Sequence, residues 1–230
     1  GYCILLGFGL NWMAERIQQP KAIFILLLPI LCLYSYKTWS RNKAWENDIT
    51  LALTDVEINP ESIALNGNAS SRNLDLSELP ANKGHDKEFI HKAIAYGQKA
   101  VALHPGFVNG YLNLGLGYAK LEKYDSAKKV WDIAFRIYPH HPSKPIYYNL
   151  LASAYYQKGY KCGGEKNWKA GEAYIKKAVE LDPNNARYWY DLGGFAFNAT
   201  DYTTAKNAWT KAYQLNPSDS SIRSVQGMLK

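Results

Sequence analysis

The side chains able to do chemistry are few, and their spacing does not assemble a reaction centre. The histidines are His85, His91, His104, His140 and His141. The His140-His141 pair sits between Pro139 and Pro142 with no Cys, Asp or Glu at ligand spacing beside it, which reads as an exposed loop rather than a metal site. Cys3, Cys32 and Cys162 form no Cys-x-x-Cys pair, which excludes a zinc ribbon or a thioredoxin-like site, and they are too few for a disulfide scaffold. None is placed as a nucleophile beside a base. Gly163-Gly164 lacks the Gly-Lys-Ser/Thr ending of a phosphate loop. Asn68-Ala69-Ser70 and Asn198-Ala199-Thr200 match the N-glycosylation acceptor, a motif that acts only in a secretory host. No catalytic residue, metal ligand or cofactor site is expected, and binding is the remaining kind of function.

The elements that would present a binding surface repeat at a fixed spacing. Tyr111, Leu114, Gly115 and Tyr118 are followed by Tyr124, Ala127, Trp131, Ala134 and Pro139. Trp189, Leu192, Gly193 and Ala196 are followed by Tyr202, Ala205, Trp209, Ala212 and Pro217 at the same offsets. This is the tetratricopeptide pattern, a helix pair of about 34 residues. Between the two blocks, Tyr148, Leu151, Ala152 and Tyr155 mark a third first helix, and Ile175, Ala178 and Pro183 its partner. Three residues are inserted before Pro145, and seven more at Tyr160–Asn167, where paired glycines predict a flexible loop. Ala93, Ala100 and Pro105 mark a degenerate earlier repeat, with Glu61–Asn73 as its first helix and Leu74–Lys87 as a long loop. The expected fold is an all-α helical solenoid of tetratricopeptide repeats, with about three clear repeats.

Composition agrees with a packed chain. Of 230 residues, 47% are hydrophobic and 20% charged, which excludes disorder as the main state. The small residues Gly115, Ala152 and Gly193 let the second helix of each repeat approach, and Trp131 and Trp209 fill the gap towards the next one. These aromatics are assigned to the core rather than to a cofactor. The formal charge of +7 comes from lysines dispersed along the chain, so no nucleic-acid partner is expected.

The N-terminal part reads differently. Ala22–Tyr36 is an uncharged run of fifteen residues between Lys21 and Lys37, with Tyr34, Tyr36 and Trp39 suited to a membrane interface. Gly1–Ala14 is a second apolar run, and Glu15–Lys21 supplies a polar turn. Two membrane helices are expected, with a buried helical hairpin or a re-entrant segment as alternatives. The chain opens on Gly1, which suggests a fragment or a processed product. The expected organisation is the end of a membrane bundle at 1–40, a junction with a degenerate repeat at 41–107, repeats at 108–217 and a capping helix at 218–230.

The segment Arg41-Asn42-Lys43-Ala44-Trp45-Glu46-Asn47-Asp48, placed between an apolar helix and these repeats, resembles the junction in the transmembrane and tetratricopeptide-repeat proteins. These are O-mannosyltransferase-like enzymes with bacterial relatives. The resemblance implies a polytopic glycosyltransferase bundle ahead of the repeats, and repeats on the extracytoplasmic side of an integral membrane protein. The family's catalytic acidic residue lies in an early loop of that bundle, so none is carried over to this chain.

By offset, the exposed positions of the first helices are Asn109, Leu112 and Lys120, then Asn149, Ser153 and Tyr156, then Arg187, Tyr190, Phe197 and Asn198. Together they predict a concave groove for a protein or an extended peptide, with Asn and Tyr on its backbone and Arg187 or Lys120 reaching a carboxylate. Leu116 stands where a chaperone-type carboxylate clamp needs Asn. A membrane-tethered interaction domain is therefore expected. A soluble adaptor and the acceptor-binding part of a protein O-glycosyltransferase are the alternatives.

Overall fold

A computed structural model describes the backbone of residues 2–16 and 21–225, and its regular structure there is helical throughout. The chain divides into two compact units, Gly1–Pro60 and Glu61–Lys230. In the first unit, α1 (Tyr2–Arg16) and α2 (Lys21–Asn42) carry the two apolar runs, and a short 3-10 turn leads to α3 (Asp48–Ile58). The Asn47 side chain starts α3 by accepting the Ile49 and Thr50 amides, while Thr50 Oγ1 accepts the Asn47 amide. Among the described residues, no helix is long and apolar enough to cross a membrane. The expected polar turn falls largely on residues 17–20, outside the described residues.

The second unit is the solenoid. Its helices pack in consecutive pairs: α4 (Ile63–Glu78) with α5 (Asp86–Leu103), α6 (Val108–Lys120) with α7 (Tyr124–Ile137), α8 (Lys144–Gly164) with α9 (Trp168–Leu181), and α10 (Ala186–Asn198) with α11 (Tyr202–Leu215). The short α12 (Ser220–Ser224) follows, started by the Asp219 side chain on the amides of Ser221 and Ile222. The remainder of the expected cap, residues 226–230, lies outside the described residues.

The inter-helix positions behave as their sizes dictate. A Cβ built on Gly115 would lie 1.9 Å from Trp131 Nε1, and one on Gly193 would lie 2.3 Å from Trp209 Nε1. Only a bare backbone admits these indoles. Each then donates its N–H to a carbonyl of the facing first helix, Trp131 to Leu112 at 3.1 Å and Trp209 to Tyr190 at 3.0 Å. In the middle repeat the same two positions hold Ala152 and Ile175, both fully buried, so a larger first residue is matched by a smaller second one.

Three turns connect first to second helices in one geometry. The amides of Lys123, Asn167 and Asp201 bond the carbonyls of Tyr118, Cys162 and Ala196 at 2.8–2.9 Å. The residue before each is left-handed: Glu122 (φ 56°), Lys166 (φ 59°) and Thr200 (φ 65°).

Two loop expectations are corrected. Leu74–Lys87 is not a long loop, because α4 continues to Glu78 and α5 begins at Asp86. The Tyr160–Asn167 insertion is helical up to Gly164, so it lengthens α8 instead of forming a flexible loop. Seven residues make about two helical turns, so the added length leaves the faces of α8 in phase. Of the paired glycines, Gly163 serves packing, whereas a Cβ on Gly164 would meet nothing within 4 Å. A Cβ on Gly163 would lie 2.7 Å from the Phe195 ring, and one on Gly159 would lie 2.7 Å from Ile175.

Candidate functional site

The face made by the first helices is built one pair at a time. α6 meets α4 through the Asn113 side chain, which donates to Gly67 O at 3.1 Å, and through Lys120 Nζ, 2.7 Å from Glu78 Oε1. α8 meets α10 through a polar and aromatic cluster. Tyr156 donates its O–H to Asp191 Oδ2 at 2.6 Å, and Arg187 Nε donates to the same oxygen at 2.7 Å. The Asp191 carboxylate is 7% exposed, so its charge is compensated within the fold. The rings of Tyr160 and Tyr188 lie 4.8 and 4.6 Å from that of Tyr156, and the Arg187 guanidinium lies 5.5 Å from the Tyr190 ring.

Electrostatics follow from this geometry. Burial, and then the Asp191 carboxylate beside it, hold the Tyr156 phenol far above its ordinary range, so it stays a neutral donor. The Tyr160 side chain, then Asp191, hold Arg187 permanently charged. A similar staple lies at the start of α7. Asp125 accepts from Tyr155 and Lys177, both at 2.6 Å, and the Lys177 bond in particular holds its carboxyl below the usual range.

Of the groove positions expected from the sequence, Asn109, Asn149, Phe197 and Asn198 are exposed, the Asn198 amide donating to Gly194 O at 2.8 Å. Ser153 is half-buried. Tyr156, Arg187 and Tyr190 are brought together in the α8–α10 cluster. Leu112 is a correction: it is 5% exposed, in the core against Trp131, and offers a ligand no surface. Its offset matches exposed Asn149, but here the apolar side chain turns into the core. The cations are also committed: Lys120 to Glu78, and Arg187 to Asp191.

Tyr160, Tyr188 and Asp191 were missed. Tyr160 lies one turn beyond Tyr156 on the extension of α8, a face visible only once that extension is seen to be helical. Asp191 carried a weak signal, being four residues after Arg187 in a helix.

Elsewhere, His140 is exposed, while His141 Nδ1 accepts the Ser143 amide at 3.2 Å and its ring lies 5.9 Å from Phe135. The Ser70 hydroxyl of the first acceptor motif is buried, donating to Ala93 O at 2.8 Å, whereas Asn198 and Thr200 of the second are exposed. No group of three or more His, Cys, Asp or Glu among the described residues could hold a metal ion.

Residues 165–227 match the family model described as tetratricopeptide repeat. The chain is 27% identical over 263 residues to Protein O-mannosyl-transferase TMTC3 of Homo sapiens, covering 94% of this chain and 27% of that protein. It is 28% identical over 217 residues to Protein O-mannosyl-transferase TMTC1 of Homo sapiens, covering 92% of this chain and 22% of that protein. The chain thus spans about a quarter of the length of these curated relatives. Among solved structures, MamA 41-end from Desulfovibrio magneticus RS-1 is 20% identical over 82% of this chain and 96% of that chain, with a TM-score of 0.40. The chain thus folds as an all-helical solenoid of paired helices, its C-terminal part matches the tetratricopeptide-repeat model, and its sequence is similar to the TMTC O-mannosyl-transferases.

Proposed function

We propose that this chain is the non-catalytic C-terminal region of a glycosyltransferase-like membrane protein, and that it holds a protein partner as an extended peptide. In this reading, residues 1–40 end a membrane bundle, 41–107 form a junction, 108–217 carry the peptide face and 218–230 cap it. The observation that carries the peptide face is the row of exposed Asn149, Phe197 and Asn198, with half-buried Tyr190, on first helices that the Tyr156–Asp191–Arg187 network ties together. Exposed amides and phenols on a rigid, curved scaffold suit a peptide backbone. The test is binding of the full chain, in detergent, to an array of peptides. Asn149→Ala with Tyr190→Ala is expected to lower binding about tenfold with unchanged helical circular dichroism, and undiminished binding would refute the face.

Tethering is supported by the surface of the first unit. Ile4, Leu5, Phe8 and Trp12 are 58–74% exposed on α1, and Leu28, Leu31, Leu33 and Tyr34 are 60–69% exposed on α2. On α1 these residues form one apolar stripe, while on α2 they spread around the helix, which suits lipid better than a single protein partner. Near the ends of these helices, Arg16 lies 4.7 Å from the Trp12 ring and Lys43 lies 5.1 Å from the Trp39 ring, pairs suited to headgroups. The full chain is expected to float with phosphatidylcholine vesicles in a density gradient. A chain that stays at the bottom without detergent would favour a soluble adaptor. An extracytoplasmic position of the repeats rests on the homology to the membrane transferases.

A further inference from the structure

We infer that the α8–α10 face takes an uncharged, proline-rich segment in the polyproline II conformation, an inference that rests on the peptide-binding reading above. Charge comes first. The cation of this face expected to read a carboxylate, Arg187, is spent internally on Asp191 at 2.7 Å. The Asp191 carboxylate is buried beneath Tyr156 and Arg187, so it offers no counter-charge to a basic peptide. A neutral ligand is the electrostatic complement of a face whose charges close on themselves.

Shape and hydrogen bonding select among neutral ligands. Tyr156 and Tyr160, one helical turn apart, have ring centroids 4.8 Å apart, and Tyr160 continues to Phe195 at 5.5 Å. Tyr160 is 41% exposed, so aromatic surface remains at this end of the row. Aromatic rows of this kind receive the ridges of a polyproline II helix, which brings its low conformational entropy already lost. A proline tract has no backbone N–H and displays its carbonyls outward. The face answers with a donor, the exposed Asn149 amide.

The test uses the full chain in detergent and three fluorescently labelled decapeptides: a capped decaproline, a capped Gly-Ser repeat, and a free acid ending in Glu-Asp. Fluorescence anisotropy is expected to place decaproline ~10-fold or more tighter than the Gly-Ser peptide. That affinity is expected to change less than about twofold between about 50 and about 500 mM NaCl, since no charge pair forms. Tyr160→Ala is expected to weaken it ~10-fold with helical circular dichroism unchanged, and Tyr160→Phe to retain most of it. Preferential binding of the acidic peptide, weakened by salt, would overturn the proline inference and leave a peptide face of carboxylate type. Equal binding of decaproline and the Gly-Ser peptide would overturn it in favour of backbone-only recognition. Failure of all three peptides to bind would overturn it, and failure across the peptide array as well would remove the peptide face itself.

Discussion

Gly193 and Gly194 are neighbours in α10, and replacing each by alanine should move stability in opposite directions. The Gly194 Cβ would meet nothing within 4 Å. Its helix gains the intrinsic preference of Ala over Gly, up to about 1 kcal/mol. The Gly193 Cβ would sit 2.3 Å from both Cδ1 and Nε1 of Trp209, a 6% exposed indole that cannot swing away as a flexible side chain could. Overpacking of this kind costs about 1–3 kcal/mol. Displacing the indole also strips its 3.0 Å bond to Tyr190 O, leaving a buried donor at about 1–3 kcal/mol. Less the helix gain of about 1 kcal/mol, the net is a loss of about 3 kcal/mol. Urea unfolding followed by circular dichroism reads this directly. With a slope of about 1–3 kcal/mol per molar, the Gly193→Ala midpoint falls by about 1–3 M while Gly194→Ala stays level or rises. Adding Trp209→Ile to Gly193→Ala rebuilds the Ala152–Ile175 combination of the middle repeat and should recover part of the loss, a coupling of about 1 kcal/mol or more. Equal midpoints for the two single alanine variants would refute the close approach of α10 and α11.

Thr200 is β-branched and held at φ 65°, so Thr200→Gly should raise stability by about 1 kcal/mol, read as a higher thermal midpoint. Asp125 has its carboxyl lowered chiefly by the Lys177 bond, so that contribution is present above the ordinary Asp range and is lost as pH falls through the lowered value. Lys177→Met should therefore make acid unfolding begin at a higher pH. Tyr148, Tyr155 and Tyr156 have raised phenol pKa values, caused first by burial and then by bonds to Asp132, Asp125 and Asp191. Their contribution is complete below about pH 10 and is lost as pH rises towards the folded values. Tyrosinate absorbance should thus show a late fraction that ionises together with loss of helical signal. Tyr156→Phe should remove one phenol from that fraction and destabilise the chain by about 1–3 kcal/mol by leaving Asp191 short of a donor.

Much of the repeat architecture was legible in residue spacing, because a helix pair buries its contacts at a fixed local period. Gly115 with Trp131 and Gly193 with Trp209 announce their packing in the sequence, since one side chain must vanish where the other is large. The glycines at 163 and 164 announced a loop instead, because glycine punctuates turns more often than it lines a helix crossing. Only the tertiary packing of Phe195 against Gly163 decided otherwise. The same holds for the candidate face. Period alone placed Tyr156, Arg187 and Tyr190 on successive first helices. Whether their charges point at a ligand or at each other depends on partners far apart in sequence, Tyr156 on Asp191 and Lys120 on Glu78. Leu112 shows the limit within a single repeat, for the offset that exposes Asn149 buries an apolar side chain once the core offers it room. Local periodicity therefore determined which helices form and which residues meet inside a repeat. Apart from the local Arg187–Asp191 pair, the charge and shape of the surface between repeats were decided by long-range contacts that no local pattern encodes.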